Sequence, residues 1–434
     1  MTKKSVEESL ISLASIRLLL KISGIAITKI FAALTSFAIT LIVTRELSNE
    51  EAGLFLLGFT MIAVLSSIFR LGLDNVVLRL LSAHGADDYG QEKLNRALLW
   101  VATVTIPIAL LIVGLSGPIS MHIFNKPKLA TVLSTVIPAL PAFSLFFILS
   151  FAFQAQHRFL LATICQNLGV SILFLMCLVF FKYAGGYEIG LLLVTKLYSY
   201  SALIILIFAF ILWFTQKNNS FKLVSYRDKE MVSAASNLFV ATIMSLSVQW
   251  SGVLIVGVIL SAEDVALLSA AQRTALLVSF ILLVVNLVIS PIYARLWKEG
   301  DINKIRFLAK WSTRGMIIVA LPIITLMIIF REKLMVLFGA DYASAGFLLA
   351  IMVLGQFFNV ATGSVGVLLN MSGHERDFNR TTLVSGSVTI CLTFVLVHYF
   401  GIVGAAIAFT CGITLQNILA ALFVKKRLGF VPFG

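Results

Sequence analysis

The chain is a succession of about twelve apolar runs, each close to twenty residues long, separated by short polar stretches. A helix rising 1.5 Å per residue needs roughly 20 residues to cross the ~30 Å hydrocarbon core of a bilayer. Backbone amides find no water there, so only helices and closed barrels can span it. Barrel strands alternate polar and apolar residues over about ten positions, whereas these runs are continuous. They predict helices over 22–44, 49–69, 97–115, 130–151, 161–181 and 189–214, then over 233–259, 262–289, 315–330, 343–369, 382–399 and 403–424. Hydrophobic residues form 59% of the chain and charged residues 12%, with a mean hydropathy of +1.01. A soluble domain is about one-quarter charged, so the bilayer is the expected solvent. The remaining loops are too short to hold a further domain.

Residues 1–21 predict a cytoplasmic amphipathic segment, with Ser5 and Glu8 in capping-box spacing. No signal peptide is expected, because no small-residue cleavage site follows a short apolar core. Cys165, Cys177, Cys391 and Cys411 all fall in apolar runs without a CxxC pair. They are expected as reduced core residues, with no disulfide or metal framework.

Lys and Arg fix the expected orientation. With the N-terminus in the cytoplasm, inside segments hold 24 of them, and outside segments hold six: Arg45, Lys126, Lys128, Lys182, Arg331 and Lys333. Both termini are therefore expected in the cytoplasm. The same asymmetry accounts for most of the +13 net charge, which then implies no nucleic-acid partner.

The sequence repeats itself. Leu47-Ser48-Asn49-Glu50-Glu51 answers Leu260-Ser261-Ala262-Glu263-Asp264 at an offset of 213 residues, and Ile106-Pro107-Ile108 answers Leu321-Pro322-Ile323. In each half a Ser with an acid three residues later reads as the N-cap of the second span. Six spans per half is an even number, so both halves start on the same side and the repeat is parallel. The expected fold is an all-α membrane protein, with two six-helix bundles around a central cavity. Its expected divisions are a segment at 1–21, an N-lobe at 22–215, a basic linker at 216–230, a C-lobe at 231–424 and a cytoplasmic tail at 425–434. Duplicated facing bundles suit alternating access.

Enzyme chemistry finds no footing. There is no P-loop, no G-x-G-x-x-G and no second His completing a zincin motif after His374-Glu375. No cofactor and no metal are expected. Three charged residues fall well inside spans, Lys29, Lys196 and Arg273, and all are cations. Arg273 lies about 16–18 Å along its helix from Ser261, at mid-membrane, and Lys29 and Lys196 are shallower at ~10 Å from their nearer ends. One reading is snorkelling, in which the long stem carries the charge to the headgroups. The other is a water-filled, positive cavity between the lobes that attracts an anion, phosphate above all, for which the Arg fork is suited. Gln249, Gln272, Asn286, Gln356 and Asn359 are polar candidates for the same cavity; each could instead serve as an interhelical hydrogen bond.

Arg45-Glu46-Leu47-Ser48-x-x-x-x-Gly53 after the first span, and Leu71-Gly72-Leu73 with Arg79 after the second, resemble the polysaccharide-export and O-antigen repeat-unit flippases (Wzx-like) of the multidrug/oligosaccharidyl-lipid/polysaccharide (MOP) superfamily. The family pattern R-x-L-G-x-x-x-x-G is met here with Ser48 in place of Gly. The resemblance implies transport of an undecaprenyl-diphosphate-linked oligosaccharide from the cytoplasmic to the outer leaflet of the bacterial inner membrane. It implies a cationic cavity where Lys29 and Arg273 stand. It also names membrane lipids, a polysaccharide polymerase and chain-length machinery as partners. Two other readings compete. A cation-coupled multidrug or metabolite antiporter of the same fold would want carboxylates in its spans, and none is seen. A scaffold for a polysaccharide synthase would want a dry interface between the lobes.

The topology is open to direct test. A cysteine placed in the loop Lys126–Lys128 is expected to label with a membrane-impermeant thiol reagent in intact cells. Labelling at Lys217–Lys229 instead would reverse the orientation.

Overall fold

The computed structural model describes residues 27–84, 88–183, 185–215 and 229–433, together with Gly24. The segment expected at 1–21 and linker residues 216–228 lie outside the described residues. Among the described residues there is no strand. The long helices are α1 (Ile27–Glu46), α2 (Asn49–Phe69), α3 (Leu73–His84), α4 (Asp88–Gly114), α5 (Leu129–Ala155), α6 (Phe159–Tyr183) and α7 (Leu191–Phe214) in the first half. The second half holds α8 (Lys229–Ile259), α9 (Ala262–Glu299), α10 (Ile302–Ile329) and α11 (Ala340–Met371).

The last helical run, Glu375–Leu428, has 54 residues. Straight, it would reach about 80 Å, more than twice the hydrocarbon thickness. It is folded back at Gly401, whose φ of 58° and ψ of −139° are open to glycine and strained for other residues. The arms pass so closely that a Cβ on Gly404 would lie 2.0 Å from the Leu396 carbonyl oxygen. These arms are α12 (375–400) and α13 (402–428), and with them the described residues hold twelve spans.

α5 and α11 are the central helices of the two halves. α5 packs on α2, α4 and α7; α11 packs on α9, α10 and α13. The fourth span of each half thus touches the second, third and sixth of its own half, which is the parallel repeat in three dimensions. Both serine caps are present. Ser48 Oγ accepts from Glu51 N at 3.3 Å, and Ser261 Oγ accepts from Asp264 N at 3.1 Å, with each acid returning a bond to the serine backbone.

Several boundaries differ from the sequence reading. α4 begins at Asp88 and α10 at Ile302, well before the apolar runs at 97 and 315, and α9 continues through Pro291 to Glu299. Apolarity marks the stretch inside lipid, while the helix itself continues into the polar overhang. α13 likewise runs on to Leu428, into the segment expected as the tail, and ends on Gly429. α3 was expected as loop. It is too short to span, yet Leu73, Val76, Val77, Leu80 and Leu81 form one buried face against α4 and α5. Cys165 is buried as expected, but Cys391 and Cys411 are exposed; an apolar run suits a lipid-facing position as well as a core.

The halves meet most closely at one end of the bundle. A Cβ on Gly53 of α2 would stand 1.7 Å from the Ala262 carbonyl oxygen of α9, so only glycine permits this approach. Around it, Arg45 Nε donates to Leu337 O at 2.7 Å, and Asn49 Nδ2 donates to Asp341 Oδ2 at 2.8 Å. Lys126 Nζ donates to the carbonyls of Gly257 (2.7 Å) and Leu260 (2.6 Å) at the C-terminus of α8, where orphan carbonyls and the helix dipole favour a cation.

Gly53→Ala is expected to pry this seam apart. In a chain stripped of its four cysteines, an Asn49→Cys/Asp341→Cys pair should cross-link readily, and adding Gly53→Ala should lower the yield severalfold. Equal yield in both chains would show that the seam does not need the glycine.

Candidate functional site

Helices that converge at Gly53 diverge toward the opposite end, and a cavity of about 520 Å³ opens between the lobes there. It is bounded by the first turns of α1, the last turns of α2, the start of α6 and the middle of α8 and α9. This is the end at which most Lys and Arg gather.

Three cations line the cavity: Lys29, Arg70 and Arg273. No carboxylate is among the described lining residues. Arg273 projects from α9 across the lobe interface. Its Nη1 donates to Thr40 Oγ1 at 2.8 Å and to Ser36 Oγ at 3.3 Å, both on α1. Its guanidinium lies 4.4 Å from the Phe59 ring centroid, a cation–π contact that steadies the charge without neutralising it. Among the described residues only Nη1 finds hydrogen-bond partners. Lys29, partly buried on α1, makes no ion pair among the described residues.

Arg70 is the C-cap of α2. It is held there by a tight turn in which Leu71 takes a φ of 55°, strained for a leucine. Its Nε donates to Asp74 Oδ2 at 3.4 Å, its Nη2 donates to Ser67 Oγ at 3.3 Å, and the guanidinium sits 4.3 Å over Phe147. Nη1 is buried without a partner. An unsatisfied buried donor costs about 1–3 kcal/mol, a cost that a bound anion or water would remove.

The wall between the cations is aromatic and amide. Phe59, Phe143, Phe146, Phe147, Tyr198 and Trp250 supply ring faces. Gln166 and Asn167 come from α6 and Gln249 from α8. Beside the cavity a groove of about 310 Å³ runs between α1 and the second half of α9, lined by Lys29, Ser279, Leu283, Asn286, Leu287 and Ser290 among others. Lys29 and Leu283 line both spaces, so the groove adjoins the cavity at Lys29.

The residues singled out in the sequence therefore separate. Arg273, Lys29 and Gln249 meet in the cavity, and Asn286 lies in the side groove. Gln272 is buried and donates to Gln249 O at 2.6 Å, fastening α9 to α8. Gln356 and Asn359 lie within the C-lobe: Asn359 Nδ2 donates to Gln356 Oε1 and its Oδ1 accepts from Asn417, both at 3.1 Å, joining α11 to α13. Lys196 does not line the cavity. It is exposed on α7 in a stripe with Leu192, Tyr200, Leu203 and Ile207, the lipid-facing side, where its stem can reach the headgroups. Arg70 was counted among the loop cations, although the Leu71-Gly72-Leu73 motif adjoins it. Gln166 and Asn167 carry no periodic signal that separates them from packing amides.

A family model described as polysaccharide biosynthesis protein matches residues 18–297, and a MatE model matches residues 238–395. The chain is 23% identical over 212 residues to the "Probable low-salt glycan biosynthesis flippase Agl15" of Haloferax volcanii; the match covers 48% of this chain and 43% of that protein, under half of its length. Among solved structures, the inward closed conformation of the lipid II flippase MurJ gives a TM-score of 0.76 at 11% identity, covering 92% of this chain and 87% of that one. An inward-facing multidrug resistance MATE family transporter of the MOP superfamily gives 0.70 at 14% identity, covering 93% and 98%. With well over half of its length matched by the first model, the chain belongs to the polysaccharide biosynthesis protein family, and its fold is that of the MurJ and MATE structures.

Proposed function

We propose that the chain moves an undecaprenyl-diphosphate-linked oligosaccharide, an O-antigen or capsule repeat unit, from the cytoplasmic to the outer leaflet of a bacterial inner membrane. The observation that carries this reading is a lobe-interface cavity with three cations and no carboxylate among its described lining residues. A diphosphate is the anion such a site suits: Arg70 and Arg273 both have free donors for its oxygens, and the forked guanidinium matches them in geometry. Buried among aromatic rings, these charges act in a medium less screening than water. The side groove at Lys29 gives the polyprenyl tail a way to stay in lipid while the head group is inside.

Transport then follows from geometry. The head group enters past Lys29 from the cytoplasmic side, where the distribution of Lys and Arg leads us to expect both termini. Arg273 and Arg70 hold it, and the lobes (22–215 and 231–424) rock about it until the seam at Gly53 parts toward the outer leaflet. A polymerase and chain-length machinery would take the delivered repeat unit. The chain has no P-loop, so this motion is not driven by ATP hydrolysis on the chain itself. A cation-coupled antiporter is less well supported, because no carboxylate is among the described lining residues and Asp74, bonded to the lining residue Arg70, is already paired.

Arg273→Ala is expected to cut surface polysaccharide at least ~tenfold, as befits a lost charged hydrogen bond, with the protein still inserted and abundant in membranes. Arg273→Lys should recover part of the export and Arg273→Glu none. Arg70→Ala should act in the same direction. Normal export by both the Ala and Glu variants of Arg273 would refute the cationic-cavity mechanism.

A further inference from the structure

α6 is not a regular α-helix where it meets the cavity. Ile164–Leu168 form a π turn, closed by the bond from Gly169 N to Ile164 O. Such widened turns concentrate at functional sites. Neighbouring residues of an α-helix point ~100° apart, so three in a row do not ordinarily share one wall. Here Cys165, Gln166 and Asn167 all line the cavity, with Val170 and Ser171 one turn on. The turn packs against the half of α5 that carries Phe147, the ring on which Arg70 rests. Amides and guanidinium therefore share one side of the cavity.

These amides are not used by the fold. Gln166 Nε2 is buried and has no hydrogen-bond partner, and the Asn167 side chain is exposed to the cavity without one among the described residues. Contrast Gln272 and Asn359, which fasten helices together. A buried amide donor left open beside a cavity is matched by a ligand group that can accept from it. It is neutral, so it adds no charge to the grip on a diphosphate. It can accept as well as donate, as hydroxyl and acetamido groups require, and the Phe147 and Tyr198 rings offer apolar faces beside it.

We propose that the π turn of α6 is a sugar subsite: Gln166 and Asn167 bond the hydroxyl or acetamido groups of the sugar joined directly to the diphosphate. Arg70 and Arg273 hold the charge common to every such lipid, and the π turn distinguishes one glycan from another. This rests on the lipid-linked oligosaccharide reading above and adds to it the site of glycan recognition.

Binding to the purified full chain in detergent, followed by native mass spectrometry, separates the two claims. The probes are a short-chain polyprenyl diphosphate and the same lipid bearing one N-acetylhexosamine. The unaltered chain is expected to bind the sugar-bearing lipid about tenfold more tightly than the bare one. Gln166→Leu and Asn167→Leu should each shrink that preference to about twofold or less and leave affinity for the bare lipid unchanged. Asn167→Leu is the safer variant for folding, because its side chain does not pack. Equal loss for both lipids, a preserved preference in both variants, or no preference in the unaltered chain overturns the sugar subsite while the flippase reading stands. Failure of the unaltered chain to bind either lipid overturns the flippase reading and the subsite with it.

Discussion

The architecture turns on how closely α2 can approach the C-lobe. At Gly53 the two backbones are in contact through the Ala262 carbonyl, and four residues on, Leu57 fills the space that a side chain on Gly257 would need. In lipid the hydrophobic effect does not draw helices together, so association depends on such close fits between small residues. Contact at one end fixes divergence at the other. From Gly53 to Arg70 is 17 residues, roughly 25 Å of helix, and over that length the interface passes from a sealed seam to an open cavity. The glycine of the export-flippase motif thus has a mechanical meaning: it sets the apex of a wedge.

The charges inside the wedge follow a consistent economy. A cation in the membrane interior usually pairs with an acid or opens onto water. Arg273 does neither fully: it leans on two hydroxyls and a phenyl ring. Such partners hold the guanidinium in place and leave its charge uncancelled. Arg70 is paired with Asp74, but at 3.4 Å and through Nε, with Nη1 left over. A structural ion pair would be expected to satisfy both partners. These two incomplete arrangements, on opposite lobes, leave guanidinium donors open where both side chains line the cavity.

Much of this was legible in the sequence. Span count, parallel repeat and both serine caps follow from hydropathy and from an offset of 213, because bilayer thickness and cap chemistry act on local sequence. Arg273 and Lys29 stood out because a charge inside an apolar run has few explanations. What escaped was set by direction rather than by identity. Lys196 resembles Lys29 in sequence context, yet one faces lipid and the other the cavity, a difference of helix rotation. Gln356 and Gln166 are equally polar, but Gln356 is tied to Asn359 in the C-lobe core while Gln166 was turned to the cavity by a π turn that no periodicity announces. Arg70 was hidden by its place at a span end, where topology alone accounts for a cation.

The paired capping boxes carry an energetic corollary. In the proposed rocking of the lobes the N-termini of α2 and α9 would come into water together, but each is closed by its own serine and its own acid. No backbone donor at those caps changes partner in the process. The bonds that such a motion would break are side-chain bonds, from Arg45, Asn49 and Lys126, each with a charged partner and each replaceable by water at a net cost of about 1.5–3 kcal/mol. By finishing each helix end from within, the chain leaves its seam to side-chain bonds alone.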